Sequence, residues 1–269
     1  MAAAGPAVAS KVRSIAERSA SEGFSGTGTF MGAAYAHMLA RVPHHLRPST
    51  PYAPDALLPG DPGRALALAQ QLLTEPKMSN HARGLWGYTG ETPDGRPLSI
   101  QATGMGGPSA AIVLEELAEL GVRRAIRVGT CGALDPELVH GELVVAGDAL
   151  AEDGASRALG AGETVAPDPE LTARLAAGLP AGVAPSRIVS TDLFYDGNPD
   201  AWRRRGAVAA EMEAATLFTL GHRLGIATAC VLAVSDTFDH GARQRIEDAE
   251  LANASERMGA LAAGALNSD

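Results

Sequence analysis

The 269-residue chain is poor in cysteine, lysine and aromatic residues, and each shortage excludes something. Its two cysteines, Cys131 and Cys230, sit in apolar runs. They cannot supply a disulfide framework, and such sparse use fits a reducing cytoplasm. No spacing of His and Cys matches a zinc site, because His44 and His45 are adjacent and isolated. Only two lysines, Lys11 and Lys77, accompany 20 arginines, and no Gly-Lys pair occurs, so there is no Walker loop. A net charge of −9 argues against a nucleic-acid groove, which needs a basic face. No G-x-S-x-G elbow is present. No apolar run reaches the length of a membrane span. Glu17 and Glu22 interrupt any signal-peptide layout at the N-terminus. The expectation is a soluble cytoplasmic protein without a metal centre.

What is present is an ordered alternation of apolar patterns. Hydrophobic residues make up 46% of the chain, enough for a sizeable core. Residues 1–42 are rich in Ala, Ser and Gly and read as a partly flexible N-terminal extension. Within them GTGTFMG (26–32) has the glycine density of a dinucleotide fingerprint, but its last spacing is wrong and no strand precedes it. RVPHHLRPSTPYAPD reads as a Pro-rich connector. From Ala56 the pattern is regular. ALLPGDPGRALALAQQLL reads as strand, turn and helix, PLSIQATG as a strand, and PSAAIVLEELAELG as a helix with a Gly stop. RAIRVGTCG, ELVVAGDAL and SRIVSTDLF read as strands, with a helix over residues 169–177. AAEMEAATLFTLGHRLG reads as one long helix, IATACVLAVSD as a buried strand, and the tail from Gln244 as helix. This alternation predicts a layered α/β fold with a mostly or partly parallel sheet.

Four strand ends carry Gly-rich or polar loops: PGDPGR (59–64), TGMGGPS (103–109), RVGTCG (127–132) and VSDT (234–237). Ligands of open α/β sheets bind outside the carboxyl ends of strands, so these loops can converge on one pocket. Arg64 and Arg127 each sit beside a Gly-containing turn. Glycine lets backbone N–H groups approach an anion, and arginine gives bidentate hydrogen bonds to phosphate oxygens. Thr130 adds a hydroxyl donor. Without a Walker loop, the expected anion is free phosphate or a small phosphate ester.

AEMEAA (210–215) sets Glu211 and Glu213 two residues apart. Positions i and i+2 of a helix do not share a face, so both reach one ligand only where a helix begins. There they suit vicinal hydroxyls such as those of a ribose; the alternative is a solvated helix face. LAVSDT ends the most apolar strand with Asp236. Burial there raises a carboxyl pKa and makes a general acid, while capping the next segment is the other use open to it. Phe194 and Tyr195 in DLFY offer faces for a flat ring or bulk for the core. Nothing local marks Cys131 as an activated thiolate.

In chain order, LLPGDPGRA, RGLWGYTG, GMGGPSAAIVLEEL, IRVGTCGAL, STDLFY, AEMEAATLF and VSDT resemble the nucleoside phosphorylase family, which includes bacterial hexameric purine nucleoside phosphorylase and uridine phosphorylase. The matching pieces cover most of residues 43–240. The resemblance implies a three-layer α/β fold with a mixed, barrel-like central sheet flanked by helices. It implies one domain over residues 43–269, with residues 1–42 lacking a counterpart in the compact family members.

The implied activity is reversible phosphorolysis of a purine ribonucleoside or deoxyribonucleoside to the free base and the sugar 1-phosphate. Inorganic phosphate is the co-substrate, and no cofactor or metal is implied. Gly60, Arg64, Arg127 and Thr130 would bind phosphate, with Arg83 crossing to a neighbouring subunit's phosphate. A histidine would cross in the same way to the ribose 5′ end: His44 has the matching distance to Gly60, and His45 the matching context before Leu46. Met105, Met212 and Glu213 would contact ribose, Glu213 through its 2′ and 3′ hydroxyls. Phe194, Cys131, Gly132, Ala210, Glu211 and Ser235 would line the base and nearby sugar. Asp236 would protonate purine N7, assisted by Arg243 or Arg245. Shared sites imply a homo-oligomer of dimer units, in the family a hexamer. The loop after Tyr195 is short, and the region after Asp236 aligns loosely. Rival readings are a uridine or methylthioadenosine phosphorylase, a hydrolytic nucleosidase of the same fold, and a nucleoside-binding protein without catalysis.

Overall fold

The computed structural model describes residues 43–239 and 242–267. The readings made for residues 1–42, including the glycines of 26–32, lie outside the described residues. In chain order the strands are β1 (Asp55–Leu58), β2 (Thr74–Asn80), β3 (Gly87–Glu91), β4 (Pro97–Gln101), β5 (Arg124–Ala133), β6 (Leu143–Glu152), β7 (Thr164–Val165), β8 (Ser186–Thr191), β9 (Ala209–Glu211), β10 (Ala227–Asp239) and β11 (Ala242–Arg245). The α-helices are α1 (Pro62–Leu72), α2 (Gly107–Glu119), α3 (Gly154–Ala158), α4 (Pro169–Ala177), α5 (Pro199–Arg204), α6 (Ala214–Leu224) and α7 (Asp248–Leu266).

The helix starts follow local chemistry. Asp61 caps α1, its carboxylate accepting from Arg64 N at 2.7 Å, with Pro62 in the first turn. Asp168 caps α4 in the same way, accepting from Leu171 N at 2.9 Å, and that helix occupies the expected Pro169–Ala177. The strands form one mixed sheet, and five of them close into a ring: β5–β10–β6–β8–β9 and back to β5. From β5 the sheet continues through parallel β1 and β4 to the antiparallel β3 and β2.

Alternation along the inner strands splits the core between the two faces of the sheet. Leu57, Ile126 and Val128 pack with Leu68 of α1, Leu175 of α4 and Met258 of α7. Their neighbours Ala56, Leu58 and Ala125 pack with Leu114 and Leu117 of α2 and Leu217 and Leu220 of α6. The result is the expected layered α/β architecture with a mixed, barrel-like sheet.

Several elements differ from the sequence reading; β10, for one, runs on past Asp236 to Asp239. Ala209–Glu211 is strand β9, not the start of the long helix, because it supplies the last ladder of the ring, pairing with both β5 and β8. Residues 242–245 form β11, antiparallel to β10, so the final helix begins at Asp248 rather than near Gln244. Strand β8 stops at Thr191, which leaves Leu193, Phe194 and Tyr195 exposed.

Candidate active site

The ends of β1, β4, β5, β9 and β10 open onto a cavity of about 1160 Å³. Among the residues singled out from sequence, Gly60, Arg64, Met105, Arg127, Thr130, Cys131, Gly132, Phe194, Ala210, Glu211, Met212, Glu213, Ser235 and Asp236 all border it. Loops up to 170 residues apart thus converge because their strands are neighbours in one sheet.

Arg127 is 4% exposed, yet it sits among polar partners. Its Nε donates to Glu211 Oε2 at 2.8 Å, and its Nη2 lies 2.5 Å from Glu213 Oε2. Burial works against its charge, but Glu213 and Glu211 outweigh that and hold the guanidinium above its ordinary pKa. Glu213 stands at the start of α6, and its Oε1 accepts from Gly106 N at 2.5 Å. Burial and the nearby Glu211 push its carboxyl up against the pull of Arg127. The two glutamates therefore converge on Arg127, one ending β9 and the other at the N-cap position of α6. The Glu211 side chain is fully buried and turned to Arg127, at the border of the cavity. Its oxygens are taken up by Arg127, Ser190 and the N–H groups of Glu213 and Ala214.

Gly129 explains how Arg127 lies there. A Cβ at this position would fall 2.6 Å from Arg127 Cζ, so the guanidinium rests against bare backbone. Arg64 shows a different balance. Burial lowers its pKa, Asp61 acts to raise it, and the Arg127 charge adds to the lowering. Among the described residues it forms no ion pair, so its charge is open to an anion entering the cavity.

Asp236 departs from its expected upward shift. Burial does act in that direction, but Arg243 Nε donates to Oδ1 at 2.8 Å and Ser235 Oγ donates to Oδ2 at 2.7 Å. These bonds outweigh burial and hold the carboxyl below its ordinary value. Of the two arginines left open by the sequence, Arg243 makes this hydrogen bond. It also lies 4.1 Å from the centre of the Phe194 ring. Phe194 is half exposed at the cavity and meets Tyr195 edge-on, so neither ring fills the core. Burial pushes the Cys131 thiol up, which disfavours the thiolate form.

With this geometry in place, comparison with known proteins gives a consistent answer. The family model described as "Phosphorylase superfamily" matches residues 54–267. The chain belongs to the phosphorylase superfamily. The curated relatives that carry the name purine nucleoside phosphorylase DeoD-type include the following three. The protein of Caldanaerobacter subterraneus subsp. tengcongensis is 36% identical over 205 residues, covering 73% of this chain and 88% of the relative. That of Clostridium novyi is 37% identical over 207 residues, covering 74% and 88%. That of Geobacillus kaustophilus is 36% identical over 203 residues, covering 72% and 86%.

The superfamily match takes in Arg83 but begins after His44 and His45, and none of these three residues borders the cavity. Glu116 on α2 ties down the histidine segment by accepting from the N–H groups of His44, His45 and Leu46 and pairing with His45 Nδ1 at 2.7 Å. Arg83 is exposed, in a left-handed conformation with φ of 60°. Asn80 joins the two segments, accepting from Arg47 N at 2.9 Å and donating to Leu85 O at 2.5 Å.

Sequence reasoning missed Ser190, Gly129 and the backbone N–H of Gly106. Ser190 lay inside a segment read as strand, Gly129 lay in the Gly-rich RVGTCG loop but its place under the Arg127 side chain was not read, and Gly106 acts through its backbone at φ of 86°, which favours glycine.

Proposed function

We propose that the chain catalyses reversible phosphorolysis of purine nucleosides, with inorganic phosphate as the attacking group and no resident metal or organic cofactor. The observation that carries the reading is an arginine pair and an acid around one cavity, with an acceptor for sugar hydroxyls beside them. Arg64 and Arg127 supply positive charge, Thr130 a hydroxyl, and Glu213 a carboxylate. Asp236 pairs in register with Gly132, two residues beyond Thr130 on β5, or about 7 Å at the usual strand rise. That is roughly the span of a ribose between a phosphate and a base. The names of the curated relatives favour the same reaction.

The chemistry follows from this placement. Phosphate held by Arg64, Arg127, Thr130 and the backbone at Gly60 attacks C1′ as the bond to N9 breaks. Cationic character grows on the sugar close to the anion, so positioning and electrostatics lower the barrier. Glu213 accepts the 2′ and 3′ hydroxyls, with Met105 and Met212 against the sugar. The base lies along Cys131, Gly132, Ala210, Ser235 and the Phe194 ring. The electron pair of the broken bond passes into the base, and Asp236 delivers a proton to N7. The purine excludes water from that carboxyl, which favours its protonated form in the complex despite Arg243. Arg83 and either His44 or His45 complete the site of a neighbouring subunit, since both segments are hydrogen-bonded in place yet do not line this chain's own cavity.

Hydrolysis by the same scaffold is disfavoured by Arg64, whose open charge serves an anion and not a neutral water. A pyrimidine substrate has no N7 to receive the Asp236 proton. The test is to incubate the protein with inosine, guanosine, adenosine, uridine and methylthioadenosine, each with and without phosphate. Base release from purine nucleosides only when phosphate is present is expected. Release at the same rate without phosphate contradicts the reading.

A further inference from the structure

Ser190 on β8 stands opposite Glu211 on β9, and β9 pairs on its other side with β5, the strand that carries Arg127. Three consecutive strands of the ring therefore bring Ser190, Glu211 and Arg127 into one buried row. Ser190 donates a short hydrogen bond to Glu211 Oε1 and accepts from Ala215 N at 2.8 Å. Glu211 Oε2 accepts from Arg127 Nε at 2.8 Å and from Glu213 N at 2.9 Å. Ala214 N adds a contact at 3.0 Å to each oxygen. A single carboxylate thus ties together a guanidinium, the turn that presents Glu213, and the first N–H groups of α6.

The consequence lies in how the arginine fork is spent. An arginine offers a carboxylate or phosphate two parallel donors. Here Nε donates to Glu211 and Nη2 is ion-paired with Glu213, while the face of the guanidinium rests on Gly129. Among the described residues, Nη1 makes no hydrogen bond or ion pair. The roll of the group about its own axis decides whether that remaining edge meets an anion in the cavity, and Glu211 sets the roll.

We propose that Glu211, held by Ser190, is a positioning residue that fixes Arg127 Nη1 toward the anion and fixes Glu213 toward the sugar hydroxyls. The proposal rests on the reading of Arg127 and Glu213 given above. The Glu211 carboxylate itself touches no substrate. It also holds the helix start in place, so the test must separate anion binding from simple stability.

Inorganic phosphate is titrated into the full-length wild type and the Ser190→Ala, Ser190→Thr and Glu211→Gln variants by calorimetry. Phosphate KM, inosine KM and kcat are measured alongside, with a melting curve for each. Ser190→Ala and Glu211→Gln should raise the phosphate Kd and KM about tenfold or more, the scale of losing one charge-assisted contact. Their kcat at saturating phosphate should fall less than affinity does. Ser190→Thr, which keeps the hydroxyl, should recover most of the phosphate affinity. Variants that melt lower but bind phosphate as the wild type does would overturn this proposal alone. A folded wild type that binds no phosphate would overturn it together with the phosphorolysis reading. If Glu211→Gln fails to fold, the Ser190 pair decides.

Discussion

At the scale of single residues, Asp236 holds the sharpest consequence. A positioned general acid contributes about 10²–10⁴-fold to a proton-transfer step. Asp236→Asn should therefore lower kcat on inosine or guanosine by roughly 10²-fold or more, with nucleoside KM changed only a few-fold. Steady-state kinetics at saturating phosphate checks this, and an unchanged kcat removes Asp236 from the chemistry. The same residue carries a stability signature. Its folded pKa lies below the ordinary carboxylate value, because Arg243 and Ser235 outweigh burial. Its contribution is thus fully present above about pH 4 and is lost as the pH falls through the lowered folded value. As the pH is lowered below about 4, melting temperature should fall less steeply in Asp236→Asn than in the wild type; parallel curves would contradict the pairing. Arg64 and Arg127 could be singled out from sequence because each stands beside a Gly-containing turn at a strand end, and Glu213 and Asp236 because each is a carboxylate in an apolar stretch. The engagement of Glu211 was not, because the Ser190 that backs it is 21 positions away and meets it only through strand pairing.

At the scale of elements, α4 was legible to the residue, whereas the short helices α3 and α5 were not read at all, although Asp153 and Asn198 cap them. Helix α4 has both Asp168 as cap and Pro169 in its first turn. Asp168→Ala should cost about 1 kcal/mol of stability, measured by denaturant unfolding, while leaving the kinetic constants unchanged. A loss of activity without a loss of stability would show that α4 matters to the site in some other way. Strand β9 was hidden because its alanine-rich stretch has high helix propensity, and closing the β5–β8 gap in the ring overrides that preference. Strand β11 was hidden for a related reason. Four exposed residues gain strand structure only by pairing with β10, and no alternation along ARQR announces it.

At the scale of the whole molecule, the described residues fold around one mixed sheet whose strand ends make a cavity, with the segments of His44–His45 and Arg83 outside its lining. The proposed use of Arg83 and the histidine pair in a neighbour's site has a direct consequence. Arg83→Ala and Arg127→Ala should each be nearly inactive alone. Mixed after partial unfolding and reassembly, they should regain a measurable fraction of activity, because some sites combine an intact Arg127 with an intact Arg83 from the partner. No recovery in verified mixed oligomers would place Arg83 in its own chain's site or in none. The central claim is that phosphate, not water, takes the sugar. It is tested most directly by following the reaction with inosine by phosphorus NMR while hypoxanthine release is measured optically. The account predicts loss of the inorganic phosphate signal and growth of a sugar 1-phosphate signal, one for each base released. Hypoxanthine release with an unchanged phosphate signal would contradict it.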